Sequence, residues 1–144
     1  MKRWMAIALE EARKAKEEGE VPVGAVVVLE GVEISRAHNK TISLADPTAH
    51  AEILALRQAA EKIGNYRLTG ADIFVTKEPC LMCAGAMIHA RISRLIYGAR
   101  DEKAGAFSKF KVDLSLSNHV FEIVEGIMAQ EAAEILREFF RERR

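Results

Sequence analysis

The longest apolar run in the chain, residues 21–29 with the sequence VPVGAVVVL, sets the first constraint on its fold. A run without polar alternation predicts a strand buried on both faces, and one interrupted by Pro22 and Gly24 is far too short to span a bilayer. Such a strand needs cover on both sides of its sheet. The flanking sequence supplies it. Trp4, Ile7, Ala8, Ala12 and Ala15 recur at helical spacing, and Gly19 stands where that helix would stop. Glu30-Gly31 separates residues 23–30 from 32–36 as the turn of a β-hairpin. Asp46-Pro47-Thr48 combines a capping residue with a first-turn proline, predicting a second helix over 49–62. Strands are predicted at 72–76, 94–97 and 120–124, a third helix at 79–90 and a terminal helix at 128–143. The order implies an α/β fold of three α/β/α layers, a mixed five-stranded sheet with helices on both faces, in one domain over 1–144. Residues 105–118 form the longest irregular stretch and a candidate functional loop.

With 144 residues, 49% of them hydrophobic and 29% charged, the chain can bury a core without disulfides, and disorder is excluded. Basic and acidic residues balance at 21 each, so no global field draws nucleic acid. The local distribution is uneven. Between residues 87 and 111, Arg91, Arg94, Arg100, Lys103, Lys109 and Lys111 face only Asp101 and Glu102, and Arg137, Arg141, Arg143 and Arg144 crowd the C-terminus. The start of the chain has charged residues and no uncharged leader core, and no segment suits a membrane, so a cytoplasmic protein is expected. Its two cysteines, Cys80 and Cys83, are too close to staple a fold and in a reducing compartment suggest metal or redox chemistry.

Three residues offer zinc ligation: His50 at the start of the second predicted helix, and Cys80 and Cys83 at the start of the third. The helix N-terminus favours thiolates, and two thiolates with one imidazole balance a zinc ion while leaving the fourth tetrahedral position free for water, as in catalytic rather than structural sites. Glu52 lies two residues beyond His50. In mid-helix the two would point apart, so both reach one site only from a first turn facing a pocket. Without the ligands, Glu52 would read as an ordinary first-turn acid.

His50-Ala51-Glu52 and Pro79-Cys80-Leu81-Met82-Cys83, one predicted strand apart, fit the zinc deaminase signature, in which the Glu is acid and base rather than ligand. Pro22-Val23-Gly24-Ala25-Val26, Asn65-Tyr66-Arg67-Leu68, the stretch Cys83-Ala84-Gly85-Ala86-Met87-Ile88-His89-Ala90-Arg91, Tyr97-Gly98-Ala99-Arg100-Asp101 and Phe139-Phe140-Arg141 extend the likeness over nearly the whole chain. In these segments the sequence resembles the bacterial tRNA-specific adenosine deaminases. That resemblance implies a cytidine deaminase-like fold, one Zn2+ per subunit, a homodimer, and inosine formation at the wobble position of a tRNA anticodon stem-loop. It implies Asn39 at the edge of the purine, although Asn39 reads almost as well as a turn residue. The amide of Ala51, together with Val23 and Ala49, is a candidate for the pocket. Arg100, Arg141 and Arg144 are candidates for RNA phosphates, and Asp101 for a ribose 2′-hydroxyl that DNA lacks, or else a plain turn residue. Glu78 shapes the ligand loop.

Three other readings remain open at this level. A deaminase of a free base or nucleoside would carry the same zinc motif. A zinc-stabilised RNA-binding module would need a fourth ligand from His38, His89 or His119. A thiol-disulfide oxidoreductase would leave His50 and Glu52 unexplained.

Overall fold

The computed structural model describes residues 1–143. Helix α1 (Lys2–Glu17) is followed by β1 (Gly24–Leu29) and β2 (Val32–His38), which pair antiparallel through a turn in which Glu30 (φ 52°) and Gly31 (φ 75°) both have left-handed backbones. That geometry matches the twist of two paired strands. Helix α2 (Ala51–Ile63), β3 (Asp72–Lys77), α3 (Leu81–Ala90), β4 (Arg94–Ala99), β5 (Glu122–Val124) and α4 (Ala129–Glu142) complete the chain, with a single 3-10 turn at Leu114–Leu116. The sheet order is β2-β1-β3-β4-β5. β1 is antiparallel to both neighbours, whereas β3, β4 and β5 run parallel. The predicted three-layer fold is the observed one.

Strand alternation divides the core in two. Ala25, Val27, Ile73, Val75, Leu95 and Tyr97 pack under Ala51, Ala55, Ala59 and Met87 of α2 and α3. Val26, Val28, Phe74 and Ile96 face Met5 and Ala8 of α1 on the opposite side. α4 shares this second face, its Ala132 packing with Leu9 and Ala99. The apolar run in β1 is therefore continuous because both of its faces are covered.

Two predicted helix starts are displaced. Asp46 does not cap α2: its carboxylate accepts from the amide (2.8 Å) and hydroxyl (2.7 Å) of Thr48 within a turn, and the helix begins only at Ala51, after His50. Pro79 likewise precedes α3, and Cys80 is the capping residue. β5 is shorter than predicted, because Val120 is exposed while Phe121 turns into the core.

Because β3 and β4 are parallel, their carboxyl ends lie at one edge of the sheet, where ligands bind in open α/β folds. The amide of Glu78 donates to the carbonyl of Ala99 (2.8 Å), tying the two exits together. At that same edge α1 passes close over the start of β1. A Cβ on Gly24 would collide with the Ala8 carbonyl and lie 2.7 Å from the Ala12 nitrogen, both of them backbone atoms. Gly24→Ala is accordingly expected to cost ~1–3 kcal/mol or more through overpacking, read as a lowered denaturation midpoint with an unchanged denaturant slope.

Candidate active site

Helices α2 and α3 both begin at the carboxyl end of β3. The residue before each has extended backbone, His50 at φ −73°, ψ 152° and Cys80 at φ −77°, ψ 177°, and neither helix is capped by a side chain. This explains how residues two apart serve one site. His50 is outside the helix and Glu52 within its first turn, so the rotation of about 200° that would separate them in mid-helix does not apply. Cys80 and Cys83 stand in the same relation to α3.

His50 Nδ1 lies 3.6 Å from Cys80 Sγ and 3.5 Å from Cys83 Sγ, and all three donor atoms are within 4.8 Å of one another. A tetrahedral zinc with bonds of about 2.3 Å to sulfur and about 2.0–2.1 Å to nitrogen requires nitrogen–sulfur separations of about 3.5 Å. The donor set therefore fits such an ion in type and spacing. Among the described residues no fourth His, Cys, Asp or Glu joins the group. The spare histidines are engaged elsewhere: His38 sits between Glu11 (3.0 Å) and Glu18 (2.9 Å), and His119 Nε2 is 2.7 Å from the Ile92 carbonyl. The Cys83 thiol holds Cys80 down to about 3, with further help from His50 against the cost of burial, while Cys80 and burial push Cys83 far up. His50 is raised, chiefly by its hydrogen bond to Cys80.

Glu52 is buried, with 4% of its surface exposed, and burial raises its carboxyl above the usual range against the lowering effects of its own amide and of His50. A buried carboxyl so displaced, in a cleft beside metal-ligating groups, is placed to hold and release a proton. It lines a cavity of about 280 Å³ together with Val21, Val23, Asn39, Thr41, His50, Ala51, Lys77, Glu78, Cys80, Asp101 and Ala104. Five residues singled out from sequence thus share one wall system with the ligands: Val23, Asn39, Ala51, Glu52 and Asp101. Ala49 is not among them; it is fully buried, and its carbonyl accepts from the Lys40 amide. Asn39 is fixed by its amide on the Val23 carbonyl (3.1 Å), and its Oδ1 is buried without a hydrogen-bond partner among the described residues. An unmet buried acceptor costs ~1–3 kcal/mol, which a polar ligand in the cavity would recover.

Sequence reasoning gave Glu78 a part in shaping the ligand loop but did not foresee its burial against the 101–108 loop. Glu78 is 3% exposed, and its carboxylate accepts from the amides of Asp101 (3.0 Å), Phe107 (3.0 Å) and Ser108 (2.8 Å) and from the Ser108 hydroxyl (2.5 Å). Burial raises its carboxyl, but these donors outweigh that and keep it below the usual range. A Cβ at Gly105 would strike this carboxylate, so the glycine permits the approach. Asp101 is no solvated turn residue. It pairs with Lys77 (3.0 Å) and accepts from the amides of Lys103 and Ala104 (both 3.0 Å).

A family profile of the MafB19-like deaminases matches residues 1–144. The tRNA-specific adenosine deaminase of Agrobacterium fabrum is 51% identical over 143 residues, covering 98% of this chain and 94% of that protein. The chain belongs to the MafB19-like deaminase family, among the tRNA-specific adenosine deaminases. A solved tRNA:A34 deaminase, studied for A-to-I editing at the wobble position of transfer RNA, superposes with TM-score 0.89 at 48% identity over 94% of this chain and 100% of that one. A guanine deaminase from Nitrosomonas europaea superposes with TM-score 0.82 at 25% identity over 96% of this chain and 83% of its own.

In this deaminase a groove of about 920 Å³ opens beside the cavity and shares Lys77, Asp101 and Ala104 with it. Its far wall carries Arg137, Arg141, Arg143 and the half-exposed Phe140. Arg141, a phosphate candidate from sequence, lines this groove, and Arg144 lies outside the described residues. Arg100 is exposed, with Nε 3.3 Å from the Ser108 hydroxyl, and lines neither space. The basic stretch read from sequence is divided by the fold. Arg94 starts β4 at the opposite end from Arg100 and pairs with Asp72 (2.8 Å), while Arg91 donates to the Asn118 carbonyl (2.9 Å). Since Glu78 alone meets three amides of the 101–108 loop, Glu78→Ala should speed hydrogen exchange at Asp101, Phe107 and Ser108 by about tenfold or more while leaving β1 unchanged; mass-spectrometric exchange measures both.

Proposed function

We propose that this chain hydrolyses adenosine to inosine at the wobble position of a tRNA anticodon, with one zinc held by His50, Cys80 and Cys83 and with Glu52 as the proton carrier. The observation that carries the reading is the pairing of two spaces. The cavity, at the small end of the ~300–1,000 Å³ typical of ligand sites, suits one base, and it opens onto a longer groove with arginines and an exposed phenylalanine, as single-stranded nucleic acid requires. A bound zinc would supply Lewis acidity, lowering the pKa of a coordinated water toward ~7. The protein does the rest. Asn39 meets the purine edge with its free Oδ1, the Ala51 amide adds a donor, and Val23 offers an apolar wall. Glu52 takes a proton from the attacking water and passes it to the ring nitrogen beside C6, then takes the proton of the new C6 hydroxyl and delivers it to the departing amine, so that water is consumed, the C6 carbonyl forms and ammonia leaves. An anticodon loop presents its base unstacked, which lowers the cost of bringing it to so enclosed a site.

A free-base deaminase would need the cavity and not the groove, and a steep fall of activity with salt separates the two. The structural-zinc reading lacks a fourth ligand among the described residues and leaves the buried Glu52 without a task. A thiol-disulfide enzyme would use Cys80 but neither His50 nor Glu52.

Homodimer formation is part of the proposal. A groove between α2 and α3, lined by Ile53, Leu56, Ala60, Ala86 and Ala90 together with Tyr66 just after α2, supports it. Monomer alone in sedimentation at micromolar concentration would count against it. No helix among the described residues is long and apolar enough to cross a membrane. Action in the cytoplasm, where tRNA is found, belongs to the same proposal.

The direct test incubates zinc-loaded protein with total tRNA and maps inosine by sequencing. Glu52→Ala should retain zinc and lower turnover by at least about 10²-fold, whereas Cys83→Ala should lose the metal; metal analysis and single-turnover kinetics distinguish them. Asp101 Oδ1 accepts from two amides and Oδ2 pairs with Lys77 (3.0 Å), and we assign the ribose 2′-hydroxyl to the second lone-pair site of Oδ2. Asp101→Asn removes a charge that repels phosphate and should narrow the ratio of activity on an anticodon stem-loop to that on its all-deoxy counterpart. An unchanged ratio returns Asp101 to loop structure alone.

A further inference from the structure

Glu20 is 1% exposed and has no Lys or Arg within ion-pair distance among the described residues, an arrangement that normally costs several kcal/mol. It follows α1 through the left-handed Gly19 (φ 77°), with its own amide bonded to the Ala15 carbonyl (2.9 Å), so its backbone is anchored to the helix. Its side chain reaches across to another part of the chain. Oε1 accepts from the Ile42 amide (3.1 Å) and the Thr41 hydroxyl (3.5 Å), and Oε2 from the Ser43 amide (2.7 Å). Burial pushes this carboxyl up, but the amides of Ser43 and Ile42 and the hydroxyl more than offset that and hold it below the usual range.

The segment so gripped is not a regular element. It runs from Asn39 to Asp46 through bonds from Leu44 to Lys40, Ala45 to Ile42 and Asp46 to Thr41, with Ala45 left-handed (φ 47°). Thr41 lines the cavity, and Val21, the residue after Glu20, lines it too. The two following aliphatic side chains, Ile42 (73% exposed) and Leu44 (53% exposed), face solvent beside that wall. Exposed aliphatic residues on a loop fixed by a buried charge offer an apolar ledge to whatever the cavity's ligand is attached to.

We propose that Glu20 is a positioning residue for substrate: it fixes the 41–43 loop so that Thr41 closes the cavity and Ile42 and Leu44 form a preset ledge for the nucleotides flanking the target base. The inference rests on the RNA-deaminase reading above. Glu20 does not touch the reacting base. Its removal therefore alters substrate binding and spares chemistry, whereas loss of Glu52 acts on chemistry.

The test compares zinc-loaded wild type with Glu20→Gln, which keeps length and shape but offers its carbonyl oxygen to only one of the two amides and turns its NH2, a donor, toward the other. Hydrogen exchange at Ile42 and Ser43 should rise, KM for an anticodon stem-loop should rise about tenfold, and kcat and zinc content should stay within about twofold. A second variant, Ile42→Ala with Leu44→Ala, alters only exposed side chains and so keeps the fold. It should raise KM similarly, and adding Glu20→Gln to it should raise KM by much less than the product of the separate effects. Unchanged exchange at Ile42 and Ser43 in Glu20→Gln overturns the clamp whatever the substrate. Faster exchange with unchanged KM, a fall in kcat at constant KM, or fully multiplicative effects overturn the positioning role. If wild type forms no inosine in the stem-loop, the RNA reading itself falls and exchange alone judges the clamp.

Discussion

Two helices start at one point above the sheet, and the site follows from that coincidence. At His50 and at Cys80 the backbone is extended, and one residue later it is helical. The change of direction turns His50, Glu52, Cys80 and Cys83 toward a common centre, although His50 and Glu52, two residues apart, would point apart on a continuous helix. It also aims two sets of unpaired first-turn amides at the centre, where negative charge is favoured. The parallel pairing of β3 with β4 supports this by placing both strand exits at the same edge, and the close passage of α1 over Gly24 holds β1 and the Asn39 backbone against it.

Negative charge around the cavity is stabilised mainly by backbone. Glu78 is neutralised by three amides and a hydroxyl, and Glu20 by two amides and a hydroxyl, with no Lys or Arg paired to either among the described residues. A lysine or arginine paired with these carboxylates would bring a long, flexible side chain to the cavity. Amides bring none, and they fix the loops that supply them. The arginines near the end of α4 stand in the groove instead, and the one lysine among the cavity's lining residues, Lys77, is held by Asp101 (3.0 Å).

The architecture was legible because its signals are local and redundant. The apolar run of β1, the Glu30-Gly31 turn and the helical periods of α1 and α4 each specify one element, and the absence of polar alternation in β1 says that both of its faces are covered. The chemical centre was legible because His50-Ala51-Glu52 and the Cys80–Cys83 pair carry unusual residue types at constrained spacings. The walls were not. Glu20 and Glu78 look like any acidic residue in sequence, since what distinguishes them is burial against amides 22 to 30 residues away. Asp46 misled for a related reason: Asp-Pro-Thr stabilises a turn as readily as a helix start, and only the tertiary position of His50 decides between them. The basic stretch misled because proximity in sequence was taken for proximity in space, while β4 carries Arg94 and Arg100 to opposite ends of the sheet.

The division between a small cavity and a long groove bears on how one fold serves substrates of different size. A free base leaves the groove empty, so any affinity must arise within the cavity. A polymer can contribute binding energy outside it, and that energy can offset the cost of holding a base away from its neighbours. For such a substrate the rim has to be set before binding, because a loop that orders only on contact subtracts its ordering entropy from the affinity. Buried carboxylates beneath both loops meet this requirement. They anchor the rims from below and leave the upper surfaces, Ile42 and Leu44 on one side and the 101–104 segment on the other, available for the flanking nucleotides. On this argument substrate size is governed less by the metal-ligating group, whose motif a free-base deaminase would share, than by which loops are clamped and what they display.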